Sequence, residues 1–388
     1  MQYFDFRLPT RIICGRNTIP RIGAELCGAA GHVLLVYGGG SIKTNGVYRA
    51  VCTSLQEAGL EWTEFSGIRS NPRLSQIRAG VKTARDAGID AVLGVGGGSV
   101  VDAAKAIAAG AAGDSDVWDY VTGKAVDHCL PVYSIITLAA TGSELNGISV
   151  ITNDETLEKW PIKSDLIKPK TSILDPETTF SVPRDLTAYG GVDAFSHVVE
   201  AYLTWPDPET PLQDGMAEAF ARTIIDATDR CVEDPTDYGA RADLMWAAAL
   251  GWSGVIPAGA GNVRLPNHML EHTLSALYDV PHGAGLSAVI PGWGRYVIRN
   301  WGPGKISKLG RTVFASEAAE DEQAALDAIA GFEAWCRRIG SPITLGESGI
   351  PARDLDTITD NAFNTSRAWG MTEPYCRAVI RDILQECC

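Results

Sequence analysis

Histidine is scarce in this chain, with six in 388 residues. A basic charge balance, a long apolar run and paired cysteines are missing altogether. Lysine and arginine number 33 against 47 acids, a net charge of −14. Such a chain repels phosphate backbones and anionic lipid over long range, so nucleic acid and membrane surfaces are poor partners. No apolar run approaches the roughly 20 residues a membrane helix needs, and no membrane span is expected. The N-terminal stretch MQYFDFRLPTRII has no basic segment followed by an apolar core. No signal peptide is therefore expected, and the cytoplasm is the expected compartment. Nine cysteines, Cys14, Cys27, Cys52, Cys129, Cys231, Cys336, Cys376, Cys387 and Cys388, show no C-x-x-C spacing. They read as reduced thiols and exclude a disulfide frame or a zinc knuckle. The G-x-G-x-x-G dinucleotide fingerprint is also lacking.

What remains is an ordinary globular composition, 45% hydrophobic and 21% charged, on a chain long enough for two domains. From 31 to 109, short β-branched runs alternate with helical periods, the pattern of a parallel sheet covered by helices. A strand over 32–37 runs into Gly38-Gly39-Gly40-Ser41 and a helix over 46–58. A second strand over 90–95 runs into Gly96-Gly97-Gly98-Ser99 and a helix over 100–109. Glycines at a strand-to-helix turn let backbone amides approach a phosphate, and the helix end adds partial positive charge. The competing reading is a plain turn with Ser99 and Asp102 as a capping box. No acid lies between Val36 and Tyr48 to hold ribose hydroxyls, whereas Ser41 and Lys43 can donate to phosphate, so NADP(H) is favoured over NAD(H). A third buried strand over 131–138 ends in small and hydroxyl residues at 139–146, the lining a ligand crevice requires. The stretch 159–176 reads as a connector with one further strand. Pro183 marks the boundary between an α/β dinucleotide-binding domain over 1–182 and an α-helical, metal-binding domain over 183–388.

Three of the six histidines fall between 268 and 282. His268, Glu271 and His272 spell His-x-x-Glu-His, an inverted zinc-protease pattern with Glu271 activating water. Alternatively, His268 and His282 supply half of a metal site completed elsewhere. Asp193 and His197, four apart on a helix, share one face and suit a single ion. The helix carrying His268 is expected to end before Pro281, with His282 opening the next one.

Taken together, Asp193-x-x-x-His197, His268-x-x-x-His272, Pro281-His282-Gly283, GGGSVVDAAK at 96–105 and TLAATGSE at 137–144 resemble the iron-containing (group III) alcohol dehydrogenases. The resemblance covers nearly the whole chain. GGGSIKTNGVY at 38–48 and NHMLEH at 267–272 bring it nearest the butanol dehydrogenase and broad-specificity aldehyde reductase branch. It implies a Rossmann-like α/β domain plus an all-α domain, in a dehydroquinate synthase-like architecture. Asp193, His197, His268 and His282 would bind one divalent metal, Fe²⁺ or Zn²⁺, with His272 beside the nicotinamide. Gly97, Gly98 and Ser99 would hold the pyrophosphate, and Gly39, Ser41 and Asn71 the adenosine end. Asp102, Thr137, Thr141 and Lys159 become cofactor-site positions, Asn146 a substrate-side group, and Glu271 is left for the helix surface. Arg69 and Ser70 depart from the acid and proline usual in this branch. The implied reaction is hydride transfer between NAD(P)H and a small aldehyde or primary alcohol, in an expected homodimer. The alternatives are a lyase on the same scaffold and the His-x-x-Glu-His protease.

Overall fold

The computed structural model describes residues 1–206 and 209–388. The chain divides into two compact units. One comprises Arg7–Val182 with Pro235–Ala249, the other Met1–Phe6, Pro183–Asp234 and Leu250–Cys388. The division is thus not the contiguous 1–182 and 183–388 expected from Pro183, because 1–6 and 235–249 each belong with the other half.

In the first unit, six strands form one parallel sheet. They are β1 (Arg11–Cys14), β2 (His32–Tyr37), β3 (Glu61–Phe65), β4 (Ala91–Gly96), β5 (Val132–Ile136) and β8 (Thr171–Leu174), in the order β1-β8-β5-β4-β2-β3. Alanine, valine, leucine and glycine alone make up β4, which is buried throughout, as a strand covered on both faces must be. The chain moves outward from β2 to β3 and then returns through β4 to β5, so the strand order reverses beside β4. The carboxyl ends of strands at such a reversal are where open α/β sheets leave a ligand crevice. Both glycine turns, at 38–40 and 96–98, lie at those ends. The stretch expected as a connector holds more structure: β6 (Ile148–Asn153) and β7 (Glu158–Lys163) form an antiparallel hairpin. Pro161 is tolerated there because its strand, β7, is hydrogen-bonded to β6 alone among the named strands and keeps one open edge.

Helices build the second unit. Arg184–Thr204 packs against Pro211–Glu233 and against His282–Trp301, which in turn packs on Pro266–Tyr278. Phe195 lies among Phe314, Phe332 and Trp335. Met269, Leu270 and Leu274 join Val289, Trp293 and Ile380 in a second apolar cluster. Every residue from 266 to 276 is buried, so the polar side chains of that helix must find partners inside the unit. The helix ends at Tyr278, Asp279 adopts the left-handed conformation (φ 56°), and His282 opens the next helix after Pro281.

Candidate metal centre and cofactor turns

Asp193, His197 and Glu200 stand at i, i+4 and i+7 on Arg184–Thr204 and are all buried. That spacing aligns them on one helix face. His268 and His272 come from Pro266–Tyr278, and His282 from the first position of His282–Trp301. Donor atoms of Asp193, His268 and His282 lie within 4.8 Å of one another. Asp193 Oδ1 is 3.6 Å from His282 Nε2 and 3.1 Å from His197 Nδ1. The His197 ring stands 4.6 Å from that of His268, centroid to centroid, and stacks on Trp252.

A second carboxylate stands behind each of two of these imidazoles. Glu200 Oε2 accepts a hydrogen bond from His268 Nδ1–H at 2.5 Å, and Glu200 Oε1 accepts from the Asn267 backbone N–H. Glu271 accepts from His282 Nδ1 and from the Ser275 hydroxyl. Gly285 leaves room for this, since a Cβ there would come within 2.8 Å of Glu271 Cγ. Carboxylates on Nδ1 fix the tautomer that turns the Nε2 lone pair toward the cluster. His268 Nε2 is buried and meets no hydrogen-bond partner among the described residues. A buried imidazole nitrogen without a proton partner, aimed at a carboxylate and a second imidazole, fits a divalent cation. Burial first, then the neighbouring His268 and His282, hold the His197 pKa well below the ordinary value, leaving it neutral. Burial also opposes charge on His268, but Glu200, together with Asp193 and Glu271, outweighs it and raises its pKa.

Glu271 is therefore not a surface residue: it is fully buried and holds His282. The same bond removes it as a free base for His-x-x-Glu-His chemistry. His272 also lies with Glu271 and His282 in a group of possible ligands. Its ring is 5.6 Å from His282, 6.4 Å from His268 and edge-on to Trp369. The orienting roles of Glu200 and Glu271 escaped sequence reasoning. Their signal was spacing: Glu200 continues the Asp193/His197 stripe, and Glu271 follows His268 by three.

In the α/β unit, the helix after β4 begins at Gly98 with Gly97 as its N-cap. A Cβ on Gly98 would stand 2.3 Å from Thr141 Oγ1, so only glycine lets the 137–144 segment close onto the turn. Thr137 N–H continues the β5 ladder to Gly96 O. The Ser99/Asp102 capping box does not form. Asp102 is buried and accepts from Ser143 Oγ (2.6 Å) and Val150 N–H (3.0 Å). Fully buried Lys105, one turn on, donates to Ser143 Oγ, Asn146 O, Asn146 Oδ1 and Ile148 O at 2.8–3.2 Å. Its pKa falls to about 8, burial outweighing the nearby Asp102 and Glu144. Asn146, expected as a substrate-side group, is tied into this buried network. Its Oδ1 accepts from Lys105 and Ile148 N–H, and its Nδ2 donates to Gly142 O. Asn71 is buried with φ 53°, and Lys159 is buried on β7. At the other turn Gly39 and Ser41 are exposed. Lys43 is not a free phosphate ligand, because its ammonium pairs with Glu64 at 3.4 Å.

Residues 9–176 match the iron-containing alcohol dehydrogenase family, and 187–388 match the C-terminal part of the Fe-containing alcohol dehydrogenase family. A probable NADH-dependent butanol dehydrogenase of Bacillus subtilis is 42% identical over 93% of this chain and 94% of its own length. An NADPH-dependent aldehyde reductase of Escherichia coli is 33% identical over 92% of each. The crystal structure of an NADH-dependent butanol dehydrogenase from Thermotoga maritima superposes with a TM-score of 0.95 at 42% identity, over 100% of this chain and 98% of that one. Neither the lyase nor the protease alternative is favoured by these relatives. The chain belongs to the iron-containing alcohol dehydrogenase family and is a metal- and nicotinamide-dependent oxidoreductase of alcohols and aldehydes.

Proposed function

We propose that this enzyme interconverts a small aldehyde and its primary alcohol, with NADH as the hydride donor. The observation that carries the reading is the buried, unpartnered Nε2 of His268 beside Asp193 and His282. Asp193, His197, His268 and His282 would hold one divalent ion, and their mixed oxygen and nitrogen donors suit Fe²⁺ and Zn²⁺ alike. A bound cation supplies Lewis-acid polarisation of the carbonyl oxygen, which lowers the barrier to hydride addition at carbon. Glu200 and Glu271 orient the His268 and His282 imidazoles in advance, so no reorganisation is needed as negative charge grows on that oxygen. Reduction also consumes one proton, and His272 is the residue we assign to carry it.

For the cofactor, the glycine turns Gly97, Gly98 and Ser99 would take the pyrophosphate, and Gly39, Ser41 and Asn71 the adenosine side. Thr137, Thr141 and Lys159 would stand at the same site, with Asp102 bracing it from beneath. The preference for NADP(H) expected from the 38–41 turn is replaced by one for NADH. Lys43 is engaged by Glu64, and the Bacillus subtilis and Clostridium acetobutylicum butanol dehydrogenases among the relatives are named NADH-dependent. A cytoplasmic homodimer is the proposed state, twofold closure being the commonest symmetric assembly. Among the described residues, no helix is long and apolar enough to cross a membrane.

The test is oxidation of NADH and NADPH by the purified enzyme with a panel of short aldehydes, after chelation and after return of Fe²⁺ or Zn²⁺. Turnover that disappears with chelation and returns with metal supports the proposal. No turnover of any aldehyde by metal-loaded enzyme contradicts it.

A further inference from the structure

We propose that Glu64 sets the preference for NADH over NADPH by holding Lys43 away from a 2′-phosphate. The inference rests on the reading that the two glycine turns take a nicotinamide dinucleotide. Strand β2 is hydrogen-bonded to β4 on one side and to β3 on the other. A dinucleotide with its pyrophosphate at the 96–98 turn after β4 extends its adenosine end across the carboxyl end of β2, where the 38–40 turn lies. Lys43 is the only charged residue between Val36 and Tyr48. On sequence it is the natural ligand for a 2′-phosphate.

Glu64 stands on the neighbouring strand β3, opposite Leu35 of β2. Its carboxylate accepts from the Tyr37 hydroxyl, from the Tyr48 hydroxyl at 2.5 Å and from Lys43 Nζ at 3.4 Å. The Lys43 ammonium also stands over two rings, 5.1 Å from the centroid of Tyr37 and 4.7 Å from that of Tyr48. One carboxylate and two ring faces thus surround the cation. The tyrosine hydroxyls keep Glu64 ionised, their hydrogen bonds lowering its pKa below the ordinary carboxylate range. The Lys43/Glu64 pair has no net charge.

A 2′-phosphate carries close to two negative charges. To reach Lys43 it must displace Glu64 or face it, and like-charge contact opposes binding. A ribose with free hydroxyls brings no charge and suffers no such opposition. The acid missing from the 36–48 segment is supplied in space by the next strand.

Both Lys43 and Glu64 are half-exposed, with side chains 47% and 35% accessible. Solvent therefore limits the discrimination to the scale of an exposed charge pair, about fivefold in affinity. The experiment measures Kd for 2′,5′-ADP and for 5′-AMP, the adenosine halves of the two cofactors, in the full-length enzyme. Wild type is compared with Glu64→Gln, with Glu64→Gln/Lys43→Ala and with Glu64→Gln/Arg69→Ala. Glu64→Gln, which keeps an oxygen for the tyrosines and loses the charge, is expected to shift the ratio about fivefold toward 2′,5′-ADP. Adding Lys43→Ala is expected to cancel the gain, whereas adding Arg69→Ala leaves it. An unchanged ratio in Glu64→Gln, cancellation by Arg69→Ala rather than Lys43→Ala, or no binding of either fragment overturns the inference. Failure of the parent reading is separate, since it is seen as no aldehyde-dependent oxidation of either whole cofactor by the wild type.

Discussion

Glu200 stands behind His268 rather than in the expected ligand set, yet its replacement by glutamine is expected to weaken metal binding sharply. The carboxylate is 2% exposed and accepts two hydrogen bonds, from Asn267 N–H and from His268 Nδ1. Glutamine has one acceptor oxygen, and its amide NH₂ must face one of the two donors. If the NH₂ faces Asn267, two donors collide at the first turn of the helix and an N–H is left unsatisfied. If it faces His268, the ring is driven to the other tautomer, with its proton on Nε2, the atom needed for coordination. Either arrangement disturbs a carboxylate–histidine pair of the kind whose loss costs about 10- to 100-fold in metal affinity. That corresponds to about 1.4–2.7 kcal/mol. The assay is competitive titration of apoprotein with Zn²⁺ against a chelator, with circular dichroism to confirm that the variant is folded. Wild-type affinity in folded Glu200→Gln would refute the reasoning, since it would mean that the His268 tautomer does not depend on Glu200.

Two further outcomes follow from the α/β unit. Burial pushes the Glu144 carboxyl up to about 7. A folded-state value above the unfolded one makes its contribution to stability fully present below about pH 4.5 and progressively lost as pH rises through about 7. Across that window wild type should lose on the order of 3 kcal/mol relative to Glu144→Gln, measured by urea unfolding at stepped pH. A pH-independent difference would count against it. Gly98→Ala places a Cβ 2.3 Å from Thr141 Oγ1. The turn must shift, and KM for the dinucleotide should rise about tenfold, the scale of an overpacked contact. Metal content, measured by emission spectroscopy, should not change. Loss of metal with unaltered cofactor KM would show that the turn has been assigned the wrong task.

What could be read from the sequence follows local periodicity. The β4 strand, its glycine turn and the break at Pro281 are all decided by residues within one element. The β6–β7 hairpin was missed because Lys159-Trp160-Pro161-Ile162 contains a proline, which argues against a central strand and is harmless in a two-stranded ribbon. Glu271 was placed on the helix surface because a charged helical residue usually is exposed. Nothing local shows that 266–276 is buried all round, a fact created by the helices packed on it. Lys43 was misjudged for a related reason: its partner Glu64 lies 21 residues away and meets it only once β2 and β3 pair. In each miss the residue type was read correctly and the neighbour was supplied by tertiary structure.

We assign His268 to the metal and His272 to the proton and cofactor chemistry, although they lie one turn apart on the same helix. The most direct measurement is metal stoichiometry and NADH-dependent aldehyde reduction in His268→Ala and His272→Ala, purified with Fe²⁺ or Zn²⁺ present. His268→Ala is expected to lose the metal and the activity together, while His272→Ala keeps a full complement of metal and loses turnover. Equal loss of metal from both variants would contradict this assignment and place His272 beside His268 among the ligands, whereas metal lost from His272→Ala alone would move the ion to the Glu271, His272 and His282 group.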